Sequence, residues 1–265
     1  MTNISILGCG WLGQPLAVSL LAQGFDVAGT CRSEQKQNAL RNLGINAHQF
    51  ELGKQIPANI WHKTTLILNL PPGRYREHSE FFTREILGLI DFGIENGCEN
   101  LLFISTTSVY GDRRGRVTEQ SPVNPITPSA KAHIRIEQEI LKQGGTVLRL
   151  AGLIGPQRHP VKHLAGRDQL SGGANPVNLI HQQDVINAVL RIIRKEYWGK
   201  VCHLAATEHP SRADFYIWAA EKAGLPAPQF LPDTDSDGKI IDASATLQAL
   251  GLELTYPSPF SMPVS

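Results

Sequence analysis

Long apolar runs, a one-sided charge and paired cysteines are all missing from this chain, and each absence removes a class of protein. No stretch approaches the ~20 consecutive apolar residues of a bilayer span. The first strand-like segment starts almost at Met1, which leaves no length for the basic segment and apolar core of a secretory leader. The expectation is a cytoplasmic protein with no membrane partner. Lys and Arg number 25 against 24 Asp and Glu, a formal net charge of +1, so the strongly basic face of a nucleic-acid binder is not there and no nucleic-acid partner is expected. The four cysteines, Cys9, Cys31, Cys98 and Cys202, stand singly. They fit reduced thiols serving as buried filler rather than a disulfide framework or a zinc site. Neither an internal repeat of about 20–50 residues nor a low-complexity tract is found. At 42% hydrophobic and 18% charged over 265 residues, the chain has the composition of an ordered protein with a large core.

What is present is most informative at the N-terminus. Ile4-Ser5-Ile6-Leu7 is a short apolar strand that runs into Gly8-Cys9-Gly10-Trp11-Leu12-Gly13 and then into a helix-like stretch, residues 12–23. In that context the three glycines have separate tasks: Gly8 permits a tight turn, Gly10 lets backbone approach a pyrophosphate, and Gly13 lets the new helix pack against the strand. Unpaired N–H groups and the dipole at the helix N-terminus favour an anion there, so no charged side chain is needed. The reading is a dinucleotide site.

Periods of two and 3.6 then alternate. Residues 26–30, 46–50, 64–70, 101–105 and 146–150 read as strands, and residues 34–43, 77–96 and 128–143 as helices. Apolar strands without an exposed polar face, separated by helices, imply a parallel sheet covered on both sides: an α/β, doubly wound parallel sheet. After Leu150 the spacing becomes irregular. We expect residues 1–150 to form the dinucleotide-binding domain and residues 151–265 mostly a smaller substrate lobe. That lobe interleaves with the main sheet through a strand at 201–205, and helices are expected at 183–195 and 212–223.

Four blocks in order, Gly8 to Gly13, Ile104-Ser105-Thr106-Thr107-Ser108-Val109-Tyr110-Gly111, Leu148-Arg149-Leu150-Ala151-Gly152-Leu153-Ile154-Gly155-Pro156, and Val177-Asn178-Leu179-Ile180-His181-Gln182-Gln183-Asp184-Val185, resemble the extended short-chain dehydrogenases/reductases, the NAD-dependent epimerase/dehydratase group, and its atypical members above all. A weaker similarity lies in the tail, where Leu250-Gly251 is similar to the family's closing helix. The resemblance implies a Rossmann fold and cofactor contacts from Trp11, Leu12, Leu70, Pro71, Pro72, Ser105 and Ala151. Pro71 and Pro72 also stiffen that wall and remove N–H donors. The departures are as informative. Leu7 stands where the extended branch has a further glycine, and the catalytic Tyr-x-x-x-Lys, aligned on Glu137, falls on Ser129 and His133. A serine hydroxyl has too high a pKa to replace the phenol.

Candidate residues each carry two readings. His133 is a proton carrier or a packing histidine. Tyr110 is a substitute acid or a wall of the substrate pocket, and Thr106 donates to a substrate oxygen, ties off its strand, or does both. His159 and His163 have helical metal spacing, but Pro160 lies between them, and no metal site is expected. His181 and Asp184 match a block that anchors the substrate lobe, with Asp184 also suited to capping a helix. Arg113-Arg114-Gly115-Arg116 reads as a solvated loop, with contact to an anionic substrate as the sharper alternative. At the end of the second strand no Asp or Glu is found, but Arg32 and Ser33 follow. A guanidinium there suits a 2′-phosphate, so NADP(H) is expected over NAD(H).

The function expected is hydride transfer at a nicotinamide on a small hydroxylated or carbonyl substrate, sugar-like in the family pattern, with Thr106, His133 and Tyr110 as the catalytic candidates. A non-catalytic NADP(H)-binding redox sensor or scaffold is the rival reading, supported by the lost Tyr and Lys. An isomerase acting through transient oxidation would need the same missing base. A small molecule is the expected partner and a homodimer the assembly to test.

Overall fold

Strand and helix alternate because short β-branched or leucine-rich runs are followed by capped amphipathic stretches, and the capping residues set where each helix begins. The computed structural model describes residues 3–57, 60, 65–73, 78–232 and 237–264. In chain order the elements are β1 (Asn3–Leu7), α1 (Gly13–Ala22), β2 (Asp26–Cys31), α2 (Glu34–Asn42), β3 (Asn46–Gln49), β4 (Thr65–Leu68), α3 (Ser79–Glu95) and β5 (Asn100–Thr106). They continue as β6 (Gly115–Val117), α4 (Pro128–Lys142), β7 (Thr146–Leu150), β8 (Gly152–Ile154), β9 (Leu179–His181), α5 (Gln182–Arg194), β10 (Val201–Leu204), α6 (Arg212–Lys222), β11 (Lys239–Ile241) and α7 (Ser244–Leu250). Residues Thr64 and Glu77, the expected first residues of β4 and α3, lie outside the described residues.

Ser33, Thr127 and Ser211 each accept a backbone N–H of the first turn, from Lys36, Ala130 and Asp214 respectively, and so start α2, α4 and α6. Pro128, with its fixed φ and missing N–H, suits the first position of α4.

Seven strands form one parallel sheet in the order β3-β2-β1-β4-β5-β7-β10. This is the doubly wound α/β arrangement expected from the sequence. From the β1/β4 pair the strand order runs outward in both directions, and such a reversal leaves a crevice at the carboxyl ends of the two strands. Residue for residue, Ile4 to Leu7 align with Thr65 to Leu68, so Gly8 and Asn69 leave the sheet side by side.

The chain divides into two compact units. The first comprises Met1–Val109, Pro125–Leu148 and Ile192–Val201, and the second Tyr110–Asn124, Arg149–Arg191 and Cys202–Ser265. The core of the first includes Leu66, Phe82, Ile86, Phe103 and Ile136. That of the second gathers Ile154, Leu179, Phe215 and Met262.

Two small parallel ladders escape the periodicity, β8 with β9 after Leu150 and β6 with the distant β11. They correct the loop reading of Arg113 to Arg116: Gly115 and Arg116 are strand residues, in register with Lys239 and Ile240. Arg114 and Arg116 are ion-paired with Asp237 and Asp242 at 2.6 and 2.7 Å. The strand was concealed because three residues, two of them exposed, show no period.

Candidate functional site

β1 ends at Leu7 because Gly8 turns the chain at φ 108°. A Cβ on Gly8 would lie 2.4 Å from the Asn69 carbonyl oxygen, and one on Gly13 would lie 2.1 Å from the carbonyl oxygen of Gly8. Backbone packed against backbone therefore excludes any side chain at either position. Gly10 is different, since it is exposed and a Cβ there meets nothing within 4 Å. The turn is held by its neighbours. Gly8 donates to Thr30 Oγ1 (2.8 Å), Cys9 N–H to the Thr30 carbonyl (2.7 Å), and Asn69 Nδ2 to the Gly8 carbonyl (2.9 Å). Burial pushes the Cys9 thiol up to about 12, which makes it inert filler. Trp11 is half-buried and Leu12 buried.

Leu12 occupies the cap position of α1 without a capping hydrogen bond, and the first turn holds no acidic residue. No carboxylate of α1 therefore neutralises that helix end, which suits an anion placed at the turn. Around it, Leu70 is half-buried, its Cδ2 3.3 Å from where a Gly8 Cβ would stand, while Pro71 is exposed and Pro72 half-buried.

After β2, Arg32 is exposed and Ser33 spends its hydroxyl on the cap of α2. Lys36, unremarked in the sequence, reaches back from α2 to donate to Gln14 Oε1 on α1. A signal was available: a lysine in the first turn of a helix opposes the dipole.

At the end of β5, Thr106 accepts the Ser108 N–H through Oγ1 at 3.1 Å, which leaves its own O–H to donate. Ser105 is buried and donates to Glu137 Oε1 at 2.5 Å. His133 is buried on α4 with its Nδ1 2.8 Å from the Ser129 carbonyl. A carbonyl only accepts, so Nδ1 carries the proton and Nε2 the lone pair. The rings of Phe103 and Phe82 stand 5.5 and 6.2 Å away. Burial lowers the pKa of His133 below the usual histidine range, which keeps it neutral near pH 7.

The second unit holds the remaining candidates. Tyr110 is fully buried. Its hydroxyl lies 2.5 Å from His203 Nε2 and accepts from Arg149 Nη1 at 2.6 Å, with the Arg149 guanidinium 5.1 Å from the Tyr110 ring centre. His203 Nδ1 donates to the Asp242 carbonyl at 3.0 Å, and burial lowers the His203 pKa. The ring is therefore neutral and Nε2 accepts the Tyr110 O–H. Charged or polar residues amid apolar strands, Arg149 in β7 and His203 in β10, were the sequence signal for this cluster.

Ala151 is buried and donates its N–H to the Leu204 carbonyl. The Asp184 carboxylate accepts the N–H groups of Thr255 and Tyr256 and so ties down the tail, and His181 Nδ1 accepts from Gln183 N–H. His159 is buried and His163 exposed. Among the described residues no three His, Cys, Asp or Glu side chains converge as metal ligands.

A strand, a glycine turn with these close approaches and a parallel sheet that switches order at β1/β4 describe one fold family. Residues 4–203 match the profile of the NAD dependent epimerase/dehydratase family. The chain belongs to that family. Protein YeeZ of Escherichia coli strain K12 is 36% identical over 274 aligned residues, covering all of both chains. Among solved structures, a putative NAD-dependent epimerase/dehydratase from Methylobacillus flagellatus is similar with a TM-score of 0.81 at 22% identity, covering 98% of this chain and 96% of that one. The UDP-glucose 4-epimerase of Thermotoga maritima, solved with UDP-glucose, is similar with a TM-score of 0.79 at 17% identity, covering 96% and 94%. At such identities the structural likeness speaks for the epimerase/dehydratase fold. No helix among the described residues is long and apolar enough to cross a membrane.

Proposed function

We propose that this member of the epimerase/dehydratase family is an NAD(P)-dependent oxidoreductase acting on a small hydroxylated or carbonyl compound. The observation that carries the reading is the contrast within one turn: Gly8 and Gly13 are locked by backbone, while Gly10 faces open space beside an uncapped helix end. That is the form of a pyrophosphate cradle. Gly8, Gly10, Trp11, Leu12 and Gly13 would hold the pyrophosphate, with Leu70, Pro71 and Pro72 as the adjoining wall. Arg32 at the end of β2, with Lys36 one helical turn on, supports NADP(H) over NAD(H).

The dinucleotide, when bound, supplies the hydride chemistry. Thr106 has a free O–H with which to hold a substrate oxygen. His133, with Nδ1–H fixed on Ser129 and Nε2 carrying the lone pair, is a neutral base suited to taking a proton from an alcohol. Its burial opposes the imidazolium needed to give one. Tyr110, its hydroxyl bound to His203 and Arg149, fits a wall better than an acid.

The packing of His133 against Phe82 and Phe103 favours a second reading, a dinucleotide-binding redox sensor without turnover. Calorimetric titration with NADPH and NADH, followed by a screen of carbonyl and alcohol substrates, tests both. Failure to bind either dinucleotide overturns both readings. Tight binding with turnover that His133→Ala abolishes supports the enzyme, and tight binding without turnover the sensor.

A further inference from the structure

Two rungs of side chains join α4 to β5. Phe103 and Ser105 are two residues apart in a strand, so their side chains leave the same face of β5. His133 and Glu137 are four apart in a helix, so theirs share a face of α4. The first rung is aromatic, with the His133 and Phe103 ring centres 5.5 Å apart. The second is polar, the Ser105 hydroxyl donating to Glu137 Oε1 at 2.5 Å. All four residues are buried, and Glu137 is only 2% exposed.

A carboxylate is a costly way to tie a helix to a strand, since it loses its hydration there and a neutral side chain makes the same bond. What its charge faces is therefore informative. Along α4, Lys131 and Arg135 are exposed, and Arg135 is paired with Glu80 of α3. Of the other charged residues of α3, Arg84 pairs with Glu85, and Asp91 and Glu95 are exposed. β5 contains no charged residue. Among the described residues, the buried charge facing His133 from these elements is thus that of Glu137. Burial lowers the His133 pKa, and the Ser129 carbonyl and the Glu137 carboxylate work against it.

We infer that Glu137 is the positioning residue of the proton step: Ser105 fixes its carboxylate one helical turn from His133, where it stabilises the imidazolium that forms there. This role rests on the oxidoreductase reading above. When an alcohol gives up its proton, the O–H bond breaks with its electron pair left on oxygen, and an N–H bond forms at His133 Nε2. Nδ1–H is already committed to the Ser129 carbonyl, so the ring becomes a cation beside the rings of Phe82 and Phe103. A carboxylate one turn away offsets that cost without touching the substrate. Ser105 directly precedes Thr106, so the same bond ties the strand end that bears the candidate hydroxyl to the helix that bears the base.

The coupling is measured without dinucleotide, by nitrogen NMR titration of the full chain with labelled histidine. Glu137→Gln keeps an oxygen to accept the Ser105 hydroxyl and removes the charge. It should lower the His133 pKa by about one pH unit further and leave stability to denaturant near that of wild type. Ser105→Ala keeps the charge and removes the tie, so it should lower stability and move the titration less. In wild type, whatever the variants do, the Glu137 carboxyl carbon signal should step at the pH where His133 titrates. Where a substrate is turned over, the acid limb of the kcat profile should move to lower pH in Glu137→Gln, in parallel with the His133 titration. Its plateau should fall by up to about tenfold, the rate equivalent of one pH unit of base strength, with dinucleotide affinity unchanged. An unmoved His133 titration in Glu137→Gln, a shift no larger than that of Ser105→Ala, or a Glu137 signal without a step at the His133 pKa would each overturn the proposal. If the two groups are coupled and no substrate is turned over, the oxidoreductase reading falls and takes Glu137's part in a proton step with it. If turnover depends on His133 while its titration ignores Glu137, the oxidoreductase reading stands and this proposal alone falls.

Discussion

The glycine turn of the first unit and the Tyr110–His203–Arg149 cluster of the second are both polar constructions in a buried setting, and they are specified in opposite ways. In the turn, backbone does the work: Gly8 and Gly13 are required because carbonyl oxygens stand 2.4 and 2.1 Å from where their Cβ atoms would be. In the cluster, side chains from three distant segments satisfy one another, Tyr110 to His203 across 93 positions and Arg149 to Tyr110 across 39. A backbone device must be written with particular residues at particular spacing. A side-chain network can be assembled from any compatible donors and acceptors, so it leaves no local pattern.

The sharpest way to break this comparison is inside the turn itself. Gly13→Ala forces a methyl into the Gly8 carbonyl and should cost about 3 kcal/mol of stability, at the upper end of what overpacking costs. Gly10→Val meets no atom within 4 Å and should change stability by no more than about 0.5 kcal/mol, while abolishing dinucleotide binding. Denaturant melts and calorimetric titration of both variants decide this. Equal destabilisation by the two, or unimpaired dinucleotide binding by Gly10→Val, would refute the assignment of separate roles.

The next effect is at the edge of the turn. Arg32→Ala should cost about 1.5–3 kcal/mol of NADPH affinity and leave NADH nearly unchanged, because only the former carries a phosphate for the guanidinium. Direct titration of both cofactors checks it, and equal losses for the two would show that Arg32 does not read the 2′-phosphate.

In the second unit, Tyr110→Phe keeps the ring beneath Arg149 but takes a partner from Arg149 Nη1 and from His203 Nε2. Stability should fall by about 1–2 kcal/mol, the penalty for leaving His203 Nε2 buried without its hydroxyl partner. A change within error would mean the cluster is not the keystone its burial suggests. The same cluster contributes to a pH dependence. Burial lowers the pKa values of His133, His159, His181, His203 and His209 in the folded chain. The unfolded state then binds protons first as pH falls, so this contribution is fully present above the unfolded histidine pKa of about 6.5 and is lost as pH drops below it toward the lowered folded values. Urea melts from pH 8 to 5 should show falling stability on the acid side, and a flat profile would contradict the neutral seating of these rings.

Legibility in the sequence follows the same division. β1, β2, α2, α4 and β7 fall within about a residue or two of where periodicity places them, because apolar runs announce the strands and spaced apolar positions the helices, with no help from the caps Ser33 and Thr127. β6, β8, β9 and β11 did not show, since three residues carry no measurable period and their partners are fixed by distant chain, Gly115 with Lys239 being the extreme. The tight turn at Gly8 and the close approach at Gly13 were legible to the individual residue. The partners of the other candidates were not: that Ser105 would bond Glu137 and that Tyr110 would be enclosed by Arg149 and His203 are consequences of packing.

The smallest effect distinguishes two arginines that the sequence treats alike. Arg114 and Asp237 are 69% and 62% exposed in their side chains, and such a pair contributes little, so Arg114→Ala should change stability by less than about 0.5 kcal/mol. Arg116 is equally exposed, but its partner Asp242 is only 14% exposed, receives both Nε and Nη2 on one oxygen, and also accepts the Ser244 N–H. Partial burial works upward on the Asp242 carboxyl, yet the bonds from Ser244 and Arg116 hold it below its ordinary value. A carboxylate with a depressed folded pKa contributes stability that is present above its unfolded pKa of about 3.9 and is lost as pH falls through the folded value. Arg116→Ala removes part of that depression, so it should cost about 0.5–1 kcal/mol near neutral pH, and the difference from wild type should shrink in acid as Asp242 is neutralised in both. Arg114→Ala should track wild type at every pH. Acid titrations of the three proteins followed by circular dichroism read this directly. Coincident curves for the two variants would mean that β6 is held by its backbone ladder to β11 and that neither ion pair matters to it.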